Sequence, residues 1–186
     1  MIYKNVVRTI QLVAVAVLAA CAGDPTATST PLTPSAPYAS DVSALMATTP
    51  LNRVVALKHD LSVARTIGRE GGTIKFPAAG LTLTIPAGAV SRNTRFSITA
   101  LKGKAVAYEF QPHGTVFARS LIAEQTLLGT QLPLGGEILQ AGYFPNRTLV
   151  DPSGASALVS EFIPGAVDTQ LVSFRWKIDH FSGYIV

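Results

Sequence analysis

The side chains able to do chemistry in this 186-residue chain are few and far apart. There is one cysteine, Cys21, and there are three histidines, His59, His113 and His180. A zinc centre wants several His, Cys or carboxylate ligands at local spacing. Here they stand singly, apart from the neighbours His59 and Asp60, so neither a metal site nor a cofactor is expected. A glycosidase needs two carboxylates facing each other across a cleft. Nothing in the pattern selects two from Glu109, Glu124, Glu137 and Glu161, which read as solvated strand residues. The sequence has no Gly-x-Ser-x-Gly elbow, phosphate loop or dinucleotide fingerprint. Tyr108, Phe110, Tyr143, Phe144, Phe162 and Trp176 would suit a sugar- or peptide-binding strip if they were exposed. Trp176, however, shares a period-two face with Val172, Phe174 and Ile178, which is core spacing. Tyr143-Phe144, beside Pro145-Asn146, is the better candidate for an exposed contact. The chain does not read as an enzyme.

Cys21 is the most informative of these residues because of what precedes it. Met1 to Arg8 is a short basic start carrying Lys4 and Arg8, and Ile10 to Ala20 is apolar except for Gln11. That run is shorter than the roughly 20 apolar residues a spanning helix needs. It has the form of a secretory signal. The tetrapeptide Leu18-Ala19-Ala20-Cys21 resembles the lipobox of bacterial lipoproteins. That resemblance implies cleavage before Cys21, a diacylglycerol on its thiol and acylation of its new amine. Several acyl chains anchor stably where one does not. The alternatives are an ordinary signal peptide with a chance cysteine, or a core thiol. Ala22 stands where some inner-membrane lipoproteins carry Asp, and this favours the outer membrane, on its periplasmic or surface face.

Processing at Cys21 defines three parts: a signal peptide at residues 1–20, a tether at 21–60 and a folded domain at 61–186. Losing Lys4 and Arg8 leaves 13 basic residues against 11 acidic ones, a formal charge of +2. So small and dispersed a charge excludes a nucleic-acid reader, which would show a clustered basic face. No second cysteine exists for a disulfide, so the domain must be held by packing. Residues 22–50 are rich in Thr, Ser, Ala and Pro, with few large apolar side chains. Such a segment cannot offset its ordering entropy by burial and reads as a disordered tether. Within it, Asp41 to Met46 reads as a short helical turn capped by Ser40 or Asp41. Arg53 to Leu57 is apolar enough to start an edge strand or to lie against the domain.

From Leu61 onward the pattern has period two. Leu81, Leu83 and Ile85 alternate with threonines, and Phe96, Ile98 and Ala100 alternate with polar residues. Val172, Phe174, Trp176 and Ile178 alternate with Ser173, Arg175, Lys177 and Asp179. Turn signals separate the runs at Gly71-Gly72, Ala78-Ala79-Gly80, Pro86-Ala87-Gly88, Gly135-Gly136, Asp151 to Gly154 and Pro164-Gly165. The expected fold is all-β, an antiparallel β-sandwich.

Four blocks in order resemble the ZU5 family of β-sandwich modules. Gly71 to Pro77 followed by Gly80 to Ala89 forms the opening, and Phe96 to Leu101 is the next strand. Gln111 to Phe117 forms the third block, and His180-Phe181-Ser182-Gly183-Tyr184 closes the set. In some animal members of that family, His-Phe-Ser is a self-cleavage site. There the serine hydroxyl attacks the preceding carbonyl with help from a histidine base. Carried over, His180 and Ser182 would cut the chain between Phe181 and Ser182, releasing only Ser182 to Val186.

The expectation is a lipid-anchored protein of the cell envelope with a non-enzymatic binding or assembly sandwich. Its partners would be the membrane, through the lipid on Cys21, and an envelope protein or polysaccharide. A carbohydrate-binding surface module and a self-cleaving domain are the alternatives.

Overall fold

The computed structural model describes residues 45–132 and 138–186. Cys21, the leader, most of the tether and the Gly135-Gly136 turn lie outside them. Among the described residues there are fifteen strands, two short 3-10 turns and no α-helix. In chain order, β1 (Met46–Thr48) and β2 (Asn52–Leu57) come first. Next are β3 (Leu61–Ile67), β4 (Gly72–Phe76), β5 (Leu81–Ile85) and β6 (Thr94–Ala100). The middle of the chain supplies β7 (Gly103–Ala105), β8 (Ala107–Gln111), β9 (Val116–Thr126) and β10 (Thr130–Gln131). The last third supplies β11 (Gln140–Phe144), β12 (Ala157–Val159), β13 (Glu161–Asp168), β14 (Ser173–His180) and β15 (Gly183–Ile185).

Ten strands form one antiparallel sheet in the order β3-β6-β8-β15-β11-β13-β14-β9-β5-β4. The sheet wraps into a nearly closed barrel or sandwich. Its two edge strands come back together, and the Arg65 guanidinium on β3 donates to the Thr73 carbonyl on β4 at 2.6 Å. The all-β antiparallel fold expected from the alternation is therefore the one observed. Leu81, Leu83 and Ile85 are buried, as are Phe96, Ile98 and Ala100.

Two local expectations change. Pro164-Gly165 is no turn but the middle of β13. Residues up to Pro164 pair with β11, and residues from Gly165 on pair with β14. A proline cannot continue a ladder by donation, and at Gly165 an added Cβ would sit 2.3 Å from the Phe174 ring. The pair bends the strand where it passes from one layer to the other, the corner device of sandwiches. The second change is at Val172. It precedes β14 with φ +48°, and Ser173, expected to face water, is buried instead.

Strand pairing also reaches upstream of the expected boundary at residue 61. Met46 opens β1, which pairs with β12, so a helical turn over Asp41 to Met46 does not extend to its last residue. Residues 41–44 lie outside the described residues. Leu51 is buried, its N–H donates to the Val186 carbonyl at 2.5 Å, and its carbonyl accepts from Val106 at 2.8 Å. β2 lies between β10 and β7 in a second, three-stranded sheet.

The core centres on aromatic rings. Phe181 meets Phe96 at 5.2 Å, Phe110 at 5.3 Å and Phe117 at 4.8 Å between centroids, and is 1% exposed. The contacts with Phe96 and Phe117 are edge-to-face, the geometry the ring quadrupoles favour. Those four rings come from β6, β8, the start of β9 and the β14–β15 corner, so one side chain ties together segments far apart in sequence. Truncating Phe181 to alanine would leave a cavity facing three rings. A loss of about 3–5 kcal/mol is expected in urea unfolding followed by circular dichroism.

Candidate functional site

His180 ends β14 and Ser182 precedes β15, so the chain turns a corner through the tripeptide. The His180 ring packs on Tyr143 at 5.1 Å and near Tyr184 at 6.2 Å. Its own carbonyl accepts the Tyr184 hydroxyl at 2.5 Å. Ser182 is buried. No hydrogen bond among the described residues joins the imidazole to that hydroxyl. The Phe181 carbonyl accepts one N–H, from Gly114 at 3.1 Å, and the Phe181 N–H donates to Thr115 at 2.9 Å. These backbone bonds fasten the corner to the Pro112–Thr115 turn. A self-cleaving serine needs a base in reach and donors at the developing oxyanion. One of those donors is present here, and the contact to the base is not.

The other histidines lie apart. His113 is exposed in the turn before β9, where its N–H donates to the Gln111 side chain at 3.1 Å. His59 and Asp60 face an open cleft of about 670 Å³ with Lys58, Lys102 and Arg147. Asp60 takes a 2.6 Å bond from Arg147 and a 2.8 Å bond from the Lys102 N–H. Burial tends to raise its carboxyl, but the hydrogen bonds from Arg147 and Lys102 and their charges outweigh this, leaving its pKa below the ordinary 3.8. Glu109 lies 3.7 Å from the same arginine, whereas Glu124 pairs with Arg175 at 2.9 Å on the other layer. Glu161 is exposed, and Glu137 lies outside the described residues. Among the described residues no cluster of three potential metal ligands occurs.

The aromatic strip is largely absent from the surface. Tyr108, Phe110, Phe144 and Trp176 are buried, and only Tyr143 and Phe162 are partly exposed. Trp176 lies in the core, as its spacing implies. Phe144, expected at an exposed contact, instead packs in a second small core with Leu101, Val150 and Val159. Period two explains the error: Tyr143 and Phe144 are consecutive on β11, so they point to opposite faces.

A different constellation was not visible in the sequence. Arg53, on β2, is 7% exposed, yet no carboxylate among the described residues lies within ion-pair distance. Its Nη1 donates to the Ala105 carbonyl, and its carbon Cζ stands 5.7 Å from the centre of the Tyr108 ring. Its Nη2 is buried without a hydrogen-bond partner among the described residues. The Tyr108 hydroxyl donates toward both the Ala79 carbonyl at 2.7 Å and Gln125 Oε1 at 2.5 Å. Burial pushes this phenol up to about 12 against the opposing pull of Arg53, so it stays neutral and gives the guanidinium no counter-charge. The Gln125 amide in turn donates to Thr126 at 2.8 Å.

Local sequence builds the wall of this site. Pro77 presets the first residue of a 3-10 turn, and Gly80 closes it with φ +72° and an N–H bond to the Pro77 carbonyl at 3.0 Å. A Cβ on Gly80 would lie 2.8 Å from the Gln125 amide nitrogen. Opposite, β2 bulges away from β7: Asn52 and Leu57 pair with Ala105 and Gly103, so five steps on one strand face two on the other. The bulge breaks the alternation, burying Arg53 and turning Val54 and Val55 outward at 56% and 78% exposure. Between these walls lies a cavity of about 380 Å³. The one sequence signal for it is a lone arginine at the head of an apolar run, Arg53 to Leu57.

A scan against models of protein families gives no match, and no curated protein matches the chain. The likeness to ZU5 modules thus rests on the four ordered blocks.

The Asp60–Arg147 pair is half-open to water, so its contribution is modest, below about 1 kcal/mol. Because the folded carboxyl titrates below 3.8, the stabilisation is present above that pH and is lost as pH falls through the folded value. An Asp60→Asn variant should be slightly less stable than wild type in urea at pH 7, and the gap should close as pH falls through the folded carboxyl's titration. A gap that persists below that titration would assign the effect to something other than the charge.

Proposed function

We propose that this is a lipid-anchored protein of the cell envelope, whose β-sandwich is a non-enzymatic module for binding or assembly. The observation that carries the anchoring is the tetrapeptide Leu18-Ala19-Ala20-Cys21 at the end of a basic and then apolar leader. The thiol is alone in the chain, so disulfide pairing within it does not compete for Cys21. The outer membrane is the favoured location, because Ala22 rather than an acidic residue follows the cysteine.

For the module, the support is of two kinds. A sandwich holds its loops on a rigid frame, which suits recognition. Its most chemically unusual feature, the Arg53 cavity, has the character of a binding pocket rather than of a reaction centre. Among the described residues that line it, one cation and neutral neighbours supply no titratable base to activate a hydroxyl. The ZU5-like blocks fall on β4 and β5, on β6, on the turn into β9 and on the β14–β15 corner. Their glycines, prolines and aromatics there do architectural tasks. The burial of most of the aromatic set weakens the sugar-strip alternative. The engagement of His180 with Tyr143 and Tyr184 weakens the self-cleaving one.

Two measurements test this reading. Palmitate labelling in a bacterial host should mark wild type and vanish in Cys21→Ala; a variant that still labels would exclude acylation at this cysteine. The intact mass of the purified protein should include Ser182 to Val186, and loss of that peptide would replace a passive corner with a self-cleaving one.

A further inference from the structure

The Arg53 cavity carries an imbalance that the fold itself does not resolve. Taking a guanidinium out of water costs several kcal/mol unless charge and hydrogen bonds compensate it. Here the compensation is one carbonyl and Tyr108, whose hydroxyl interacts with the guanidinium and whose ring adds a cation–π contribution of about 0.5–2 kcal/mol. Among the described residues Nη2 has no hydrogen-bond partner. Among the described residues Arg53 is also the sole charged one lining the cavity, with no acidic side chain beside it there. The potential inside therefore favours an anion.

The rim adds a second requirement. Val54, Val55 and Leu128 stand there at 56%, 78% and 70% exposure, an apolar border around a polar floor. Large apolar side chains grouped at the mouth of a concavity mark a binding surface. The volume, about 380 Å³, is within the range of small-molecule sites, roughly 300–1,000 Å³. A single cation suits a monoanion, and a planar carboxylate matches the donor geometry of a guanidinium. A phosphate would bring more charge than one arginine neutralises and would gain nothing from the valines.

We propose that this cavity binds an apolar group ending in a carboxylate, with the carboxylate on Arg53 and the apolar part against Val54, Val55 and Leu128. The proposal rests on reading the sandwich as a binding module and is separate from the anchoring at Cys21. Two sources share this chemistry: a free fatty acid, and the C-terminus of a peptide ending in an apolar residue.

Equilibrium dialysis of the full-length chain in nonionic detergent, with detergent alone as blank, tests the proposal and separates the sources. The probes are radiolabelled octanoate against octanamide, and acetyl-leucine against acetyl-leucinamide. At least one acid should be retained ten times more tightly than its uncharged partner. Octanoate alone would point to fatty acids, acetyl-leucine alone to peptide ends, and both to the shared group. Arg53→Gln and Val55→Glu should each weaken retention tenfold or more. Val55 is exposed, so Val55→Glu keeps the test valid should Arg53→Gln unfold, with circular dichroism as the check. Acid and amide retained equally, neither acid retained at millimolar concentration, or a folded Val55→Glu that binds like wild type would each overturn it. Such a failure leaves the palmitate result at Cys21 untouched, so the two readings fail separately.

Discussion

Phe181 is the side chain on which the closure of this sheet depends. Without a disulfide or a helix layer among the described residues, the sandwich must hold its faces together through packing. Four rings, Phe96, Phe110, Phe117 and Phe181, meet at centroid distances of 4.8–6.0 Å. They come from β6, β8, β9 and the β14–β15 corner, segments far apart in the chain. The hydrogen bonds around Phe181 are arranged accordingly, since both its N–H and its carbonyl bond to the Gly114–Thr115 backbone. A residue fixed this tightly makes His180-Phe181-Ser182 a structural corner first. Any chemistry there would have to move an anchored peptide.

The strands with clean alternation were legible in the sequence because each answers to one rule: one face dry, one face wet. Leu81 to Ile85 and Phe174 to Ile178 obey it. The rule says nothing about which strand lies beside which, and the misreadings collect there. Pro164-Gly165 carries the composition of a turn, and only the partner exchange between β11 and β14 shows why that composition serves inside a strand. Leu51 looks like an isolated apolar residue in a proline-rich tract. Its burial depends on Val106 and Val186, 55 and 135 positions away in the chain. Tyr143 and Phe144 look alike in sequence, and the pleat sends them to opposite sides.

The Arg53 site was illegible for the same reason in sharper form. Its parts come from β2, the Pro77–Gly80 turn, β8, β9 and the loop before β10, and no local spacing links them. Even the alternation misleads there, because the bulge in β2 buries the charged residue and exposes the valines. Local consistency between pattern and structure is the rule in folded proteins, and the places that break it are where function concentrates. In this molecule a break in the alternation and a buried polar group without a partner among the described residues coincide on Arg53, and again on Ser173.

The position of β1 and β2 also sets how the molecule would respond to mechanical load. A pull on the chain at Met46 meets the three-residue pairing of β1 with β12, then the bulged β2, before it reaches the ten-stranded sheet. The weakest ladders are thus the first in line. Under tension they would yield as a fuse, opening the Arg53 cavity, whose rim is β2 itself, while the aromatic centre stays closed.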